Sequence, residues 1–269
     1  MSKAVRPPLF LSVAAVGVAI AISLPLFYLV IRAAYAGGEE LLQLFTRQQN
    51  LIILFNSIVL MTAVALFSAL ISIPLAFLTV RTDLPKRRFW LIVTTLPLAV
   101  PSYVGSFALI GAFAPRGSFL QLLLAPLGVE ELPSIYGWFG AIFALTLFTY
   151  PYMLLSLRSG LQGLDPSLEE ASRSMGYNSR ETFFKVVLPQ LYPSLIAGGL
   201  LVSLYALRDF GTPSLMQFDA FTQAIYIRYQ VSFNRDAAAA LSLVLVTIIM
   251  LMLWVESQMR SRAANYTRG

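Results

Sequence analysis

The stretch Leu164-Asp165-Pro166-Ser167-Leu168-Glu169-Glu170-Ala171-Ser172-Arg173-Ser174-Met175-Gly176-Tyr177-Asn178-Ser179-Arg180-Glu181-Thr182-Phe183-Phe184-Lys185-Val186-Val187-Leu188-Pro189 is the longest polar segment in a chain that is otherwise mostly apolar. Its residues are patterned for structure. Asp165 can cap a helix that begins at Pro166: a carboxylate accepts the free N–H groups of a first turn, and proline has no N–H to leave idle. Glu169 and Glu170 then lie near the positive end of the helix dipole. Leu168, Ala171, Ser172 and Met175 recur at i, i+3, i+4 and i+7, a narrow stripe of small and apolar side chains. Gly176 suits the left-handed turn that ends such a helix. Asn178, with Glu181 three residues on, resembles a capping box, so a second short helix is expected there, stopped by Pro189. The reading is helix, glycine turn, helix, a hairpin over about 158–190 between two apolar runs.

Those runs decide the class. The chain has 269 residues, 58% hydrophobic and 12% charged. Soluble domains carry about 25% charged residues, so this is an all-α membrane protein. Its length suits one helical bundle, and residues 1–269 read as a single transmembrane domain. There is no Cys and no His. Disulfides, thiolate catalysis, imidazole acid–base chemistry and the usual Cys/His zinc sites are thereby removed. No Walker A loop of the Gly-x4-Gly-Lys-Ser/Thr type occurs, so ATP has to be bound by another subunit.

Six spans are expected: about Leu9–Ile31, Leu51–Val80, Phe89–Phe113, Ile135–Leu157, Leu191–Phe210 and Ala237–Val255. Ala34-Tyr35-Ala36 looks like a signal-peptidase site, but the first run exceeds the core of a cleavable signal and is read as an uncleaved span. The second run is longer than a crossing needs, so part of it is an extra helix or tilted excess. A further short helix is expected around Phe119–Leu124. Placing the N-terminus in the cytoplasm puts Lys3, Arg6, Arg81, Lys86, Arg87, Arg88, Arg158, Arg173, Arg180, Lys185, Arg260, Arg262 and Arg268 on that side, 13 of the 19 basic residues. The bias puts both termini and the hairpin in the cytoplasm. It also accounts for the net charge of +6 without nucleic acid.

The hairpin carries a resemblance. Glu170-Ala171-Ser172, three residues, Gly176, nine residues, Val186, one residue, then Leu188-Pro189 is similar to the signature loop of permease subunits of binding-protein-dependent ABC importers. That loop runs Glu-Ala-Ala, three residues, Gly, nine residues, Ile, one residue, Leu-Pro; Ser172 and Val186 depart from it with little change of size. The resemblance implies the MetI-like permease fold, about six transmembrane helices with a cytoplasmic coupling-helix hairpin that docks on an ATPase. Glu169, Glu170, Ala171, Ser172, Gly176, Leu188 and Pro189 become the expected ATPase-coupling residues. The implied partners are a cytoplasmic ABC ATPase dimer that binds the ATP and Mg, a second permease half, and a periplasmic substrate-binding protein met by segments 36–50, 114–134 and 211–236. The bacterial inner membrane is the implied location.

A narrower likeness comes from Asp209-Phe210-Gly211-Thr212-Pro213 and Thr222-Gln223-Ala224-Ile225-Tyr226. These resemble the first half of iron(III)-type permeases, in which two such halves are often fused, and the tail from Arg260 looks like a linker into a second half. Ferric iron is therefore the expected cargo, with thiamine, sulfate, molybdate and polyamine permeases in the same style.

A candidate substrate path rests on residues that are costly in a membrane. Pro97 and Pro101 free backbone carbonyls within the third span. Arg208 could attract an anion and Asp209 could offer a hard oxygen; the bland alternative is that both sit paired or snorkelling at the interface. No catalytic and no metal-ligating cluster is expected. An intramembrane enzyme would need paired carboxylates or a Ser/Lys arrangement, and no Lys lies within a span. An ion-coupled secondary transporter would need intramembrane acids and often shows inverted repeats, and neither is evident. Gly198-Gly199 is expected to allow close helix packing.

Overall fold

The computed structural model describes residues 9–266, without the side chains of residues 40, 41, 43, 45 and 260–266. Lys3, Arg6 and Arg268, and the side chains of Glu40, Arg260 and Arg262, lie outside the described residues. The described residues form helices and no strand. In chain order they are α1 (Leu9–Tyr35), α2 (Gly37–Thr46), α3 (Gln48–Arg81), α4 (Arg87–Thr95), α5 (Ser102–Phe113), α6 (Phe119–Leu124), α7 (Trp138–Gly163), α8 (Pro166–Ser174), α9 (Ser179–Thr182), α10 (Leu188–Gln190), α11 (Tyr192–Arg208), α12 (Gly211–Leu215), α13 (Phe221–Tyr226) and α14 (Arg235–Tyr266).

Four of these are long and apolar enough to cross a membrane: α1, α3, α7 and the Arg235–Met259 part of α14. Two bent pairs meet the same test when each counts as one span, Arg87–Ala99 with Ser102–Phe113 and Ser179–Gln190 with Tyr192–Arg208, which brings the number to six. The second run, Leu51–Val80, lies whole within one helix, with no separate entry helix inside it. α2 is a separate amphipathic piece, and α3 runs unbroken for 34 residues. At 1.5 Å per residue that is about 50 Å, well beyond a hydrocarbon core of about 30 Å.

Contacts cluster into two units, one of residues up to 51 with 224–248, the other of residues 52–223 with those from 249 on. In the first unit, Ala33, Leu44, Ala237 and Ala240 form a small buried cluster. Arg32 pairs with Asp236 at 3.2 Å. The Asn234 side chain accepts from the Ala237 N–H at 2.9 Å, which caps the start of α14.

The second unit is built around α7, which buries Ala141, Ala144, Leu145, Met153, Leu154, Leu157 and Leu161. α11 lies along it, and small residues set their separation. A Cβ on Gly198 would stand 2.7 Å from the Met153 sulfur and 3.0 Å from its Cα, so only glycine lets the backbones approach this closely. Gly199 is different: a Cβ there meets only the tip of Met153 at 3.7 Å, an ordinary contact. The Ser156 hydroxyl donates to the Ser194 carbonyl at 2.7 Å across the same seam.

The third run is two helices. Pro97 brings no N–H, and a tight 3-10 turn over Leu96–Ala99 follows α4. Val100 is extended, and α5 leaves from Pro101 at 100° to its predecessor. The Tyr150 hydroxyl donates to the Thr94 carbonyl at 2.6 Å, so a side chain of α7 serves a backbone group near the break. The fifth run bends at 64° between α10 and α11. Pro189 does not stop the second hairpin helix as expected. The chain widens into one π turn, Phe183–Val187, and continues through Leu188-Pro189 to Gln190. A π turn takes up the register that a missing N–H disrupts, so the bend falls after the proline instead of at it.

Candidate functional site

The hairpin forms as its residues dictate. The Asp165 carboxylate accepts from the Ser167 N–H at 2.9 Å with Pro166 in the first turn. That bond holds the Asp165 carboxyl below the usual range for an aspartate. α8 ends at Ser174, and Gly176 turns the chain at φ +89°, a conformation costly for any residue with a Cβ. The capping box is present in both directions: the Asn178 side chain accepts from the Glu181 N–H at 2.9 Å, and Glu181 accepts from the Asn178 N–H at 3.1 Å.

The stripe read along α8 divides in the structure. Ser172 is buried and its hydroxyl lies 3.1 Å from that of buried Thr182, a bond that closes the two arms on each other. Leu168 and Met175 are exposed, and so are Tyr177 and Phe184 on the turn and second arm. The hairpin therefore offers solvent an apolar surface that its own fold does not use. Glu170, Ala171, Gly176 and Pro189 are exposed as well, while Leu188 is half-buried. Glu169 pairs with Arg81, the last residue of α3, at 3.0 Å in a largely covered position. Arg81 also reaches the Leu164 carbonyl at 3.4 Å. The sequence pattern did not foresee this clamp, because the two residues are far apart in the chain.

The candidate path residues separate. Asp209 is buried, and its carboxylate accepts from the Ser102 hydroxyl and, at 2.8 Å, from the Thr212 N–H. Ser106 donates to the Thr212 hydroxyl at 3.0 Å, and Thr222 donates to the Asp209 carbonyl at 2.9 Å. One carboxylate thus ties the first turn of α5, just after Pro101, to the first turn of α12. Gly211 allows the approach, since a Cβ there would stand 2.9 Å from Tyr103. Gly211-Thr212-Pro213 does more than end a span: it starts α12, and the Asp209 carboxylate, two residues before that helix, accepts from the Thr212 N–H in its first turn. Arg208 points elsewhere. It is exposed, its guanidinium lies 5.2 Å over the Tyr205 ring, and Tyr205 packs at 5.8 Å against Tyr152. Tyr152 lines a cavity of about 510 Å³ along the α7–α11 seam, together with Ser156, Ser159, Pro193 and Ser194. Pro97 sits at the break and joins neither group. Sequence reasoning missed Ser102 and Ser106, whose hydroxyls carry no pattern until the helices meet, and it gave no bonding role to the hydroxyls of Thr212 and Thr222.

A membrane-embedded helical chain with a rigid polar hairpin between two spans is the class that fold and site define. A family model described as a binding-protein-dependent transport system inner membrane component matches residues 77–262, and the chain belongs to that family. It is 31% identical over 264 residues to the Fe(3+)-transport system permease protein FbpB 2 of Haemophilus influenzae, covering 98% of this chain and 48% of that one. The chain thus spans about half the length of this relative. It is 26% identical to the sulfate transport system permease protein CysT of Escherichia coli, covering 89% of this chain and 87% of that one. For the molybdenum transport system permease protein ModB of the same organism the figures are 28%, 74% and 90%. The fold matches that of a chain in the crystal structure of a bacterial ABC transporter for alginate import, with a TM-score of 0.74, 16% identity, and 94% and 96% of the two chains covered. The MetI-like permease fold expected from the hairpin is the fold observed.

Proposed function

We propose that this chain is a membrane subunit of an ATP-driven importer and that its hairpin couples an ATPase to the spans. The observation that carries the reading is the hairpin's construction. It is capped at both helices, closed by Ser172 and Thr182, and clamped to α3 through Glu169 and Arg81. It still leaves Leu168, Met175, Tyr177 and Phe184 exposed for a partner. A push on that face moves a stiff body, and the clamp and the continuous second arm pass it to α3 and α11. ATP and Mg are held by the partner ATPase. ATP must favour one orientation of the spans over another, since equal affinity for both would move nothing. A second permease half completes the path and a periplasmic protein delivers the cargo. Both termini lie in the cytoplasm of a bacterial inner membrane.

Ferric iron is the proposed cargo, supported by the 31% identity along nearly the whole chain with the ferric permease. Sulfate or molybdate is the second reading. It is favoured by the exposed cation Arg208 and by the Asp209 carboxylate, which is already engaged by Ser102 and Thr212. The test is affinity purification of the tagged full chain with its co-purifying subunits, followed by uptake of radiolabelled ferric iron and sulfate into proteoliposomes. Co-purification of a Walker-motif ATPase and ATP-dependent uptake of iron are expected. Sulfate uptake alone turns the cargo assignment to the second reading. Uptake that follows an ion gradient without any ATPase rejects the importer.

A further inference from the structure

The cavity between α7 and α11 has a lining that contact with lipid does not call for. Tyr152, Ser156 and Ser159 stand at i, i+4 and i+7 on α7, and Ser194, Ala197 and Leu201 line it from α11. Its volume of about 510 Å³ lies within the range of small-molecule sites, about 300–1,000 Å³. It is open, because Leu155, Ser159, Pro193 and Leu201 in its wall are exposed. Ser156 donates to the Ser194 carbonyl. The hydroxyls of Tyr152, Ser159 and Ser194 have no hydrogen-bond partner among the described residues. Hydrocarbon offers such groups nothing, so three free hydroxyls on two spans suit a space that holds water or a polar guest.

The electrostatics select the guest. No residue in the cavity wall carries a charge. Leu201, Tyr205 and Arg208 share one face of α11 at i, i+4 and i+7. The Arg208 guanidinium lies 5.2 Å over the Tyr205 ring, and that ring packs 5.8 Å from Tyr152 in the wall. A positive charge therefore stands at one end of the lined face. The neighbouring carboxylate, Asp209, is buried and already engaged by Ser102 and Thr212. A bare cation would meet Arg208 and then only neutral hydroxyls. An anion with several oxygens is drawn by Arg208 and accepts from each free hydroxyl.

We propose that the α7–α11 cavity is a cargo subsite for oxygen-rich anions, held by the hydroxyls of Tyr152, Ser159 and Ser194 in the field of Arg208. The assignment rests on the importer reading and sets the form in which cargo passes. That form is a free tetrahedral oxyanion, or ferric iron carrying oxyanion ligands, and not the bare metal cation.

The chain has no Cys, so a single substitution supplies a unique thiol. Ser159→Cys and Leu201→Cys, both at exposed positions in the wall, are made in the full chain and kept in membranes with its subunits. Each is treated with an anionic or a cationic methanethiosulfonate, and labelling is followed by mass spectrometry. Rates are taken relative to those of a free thiol in water. Both thiols should react, the anionic reagent about tenfold faster, and Arg208→Gln should bring that ratio to about one. Leu251→Cys, exposed on α14 and outside the cavity, should react with neither reagent. Slowing by millimolar sulfate assigns the free oxyanion; slowing by ferric citrate beyond that by citrate alone assigns the iron complex. Slowing by none of these overturns the subsite. So does a preference for the cationic reagent, or silence toward both, which would mean that lipid or a partner helix fills the cavity. An unchanged ratio in Arg208→Gln overturns the part given to that residue. ATP-dependent uptake in the same membranes reports the importer reading separately: its loss with the anion preference intact rejects the importer and keeps the anion site.

Discussion

Asp165 shows how much one side chain does at the start of the hairpin. Its carboxylate takes a first-turn N–H, and that bond lowers its pKa from the ordinary 3.8. Stability from a depressed carboxylate is fully present above the unfolded value and is lost as pH falls through the folded one. The first turn of α8 should therefore hold at neutral pH and loosen only below about pH 4. Amide exchange at residues 167–169, corrected for intrinsic rate, should rise under acid in the native chain. In Asp165→Asn, whose amide oxygen caps without titrating, the acid-dependent rise should vanish. Gly176 acts at the same scale through its φ of +89°, which the turn requires and a Cβ opposes.

At the scale of elements, backbone breaks and buried hydroxyls work together. α4 and α5 meet at 100° because proline withholds N–H groups, and the groups left over find partners on other helices. Gly140 admits the chain that precedes α7: a Cβ there would stand 1.7 Å from the Ile135 carbonyl, so no other residue fits without moving backbone. Asp209 joins α5 to α12 through two buried bonds. Asp209→Ala would leave the Ser102 hydroxyl and the Thr212 N–H without their acceptor, at a cost of about 2–4 kcal/mol. Asp209→Asn keeps the Thr212 bond and should cost about 1 kcal/mol. Denaturant unfolding in detergent separates the two. Equal losses would mean that the carboxylate's bonds do not hold α5 in place.

For the whole molecule, the question is how a hairpin outside the apolar runs can move them. The proposed route is the Arg81–Glu169 pair and the second arm that runs through the π turn toward α11. Arg81→Gln should leave ATPase association intact, because Leu168, Met175 and their exposed neighbours are untouched. It should lower the cargo moved per ATP several-fold, measured as paired uptake and hydrolysis in proteoliposomes. If the ratio stays at the native value, force reaches the spans by another contact.

The hairpin was legible because its signals are local. Asp-Pro, a glycine turn and Asn-x-x-Glu act within a few residues, so the caps at 165 and 178 and the turn at 176 stand where the chain order puts them. The apolar runs were legible for a similar reason, since a span is a matter of composition over about 20 residues. Even the short α6 matches its expected bounds, Phe119–Leu124. What only the tertiary structure decided are features made by residues distant in the chain. The Arg81–Glu169 clamp, the Ser102–Asp209–Thr212 bonds and the division of the α8 stripe into a buried Ser172 and an exposed Met175 all belong here. Prolines mark where a helix can yield, but the angle taken, 100° after α4 and 64° before α11, follows from which neighbours satisfy the freed groups. Local hydrogen bonding and apolar composition are properties of sequence; the pairing of distant polar groups in a water-poor interior is a property of packing.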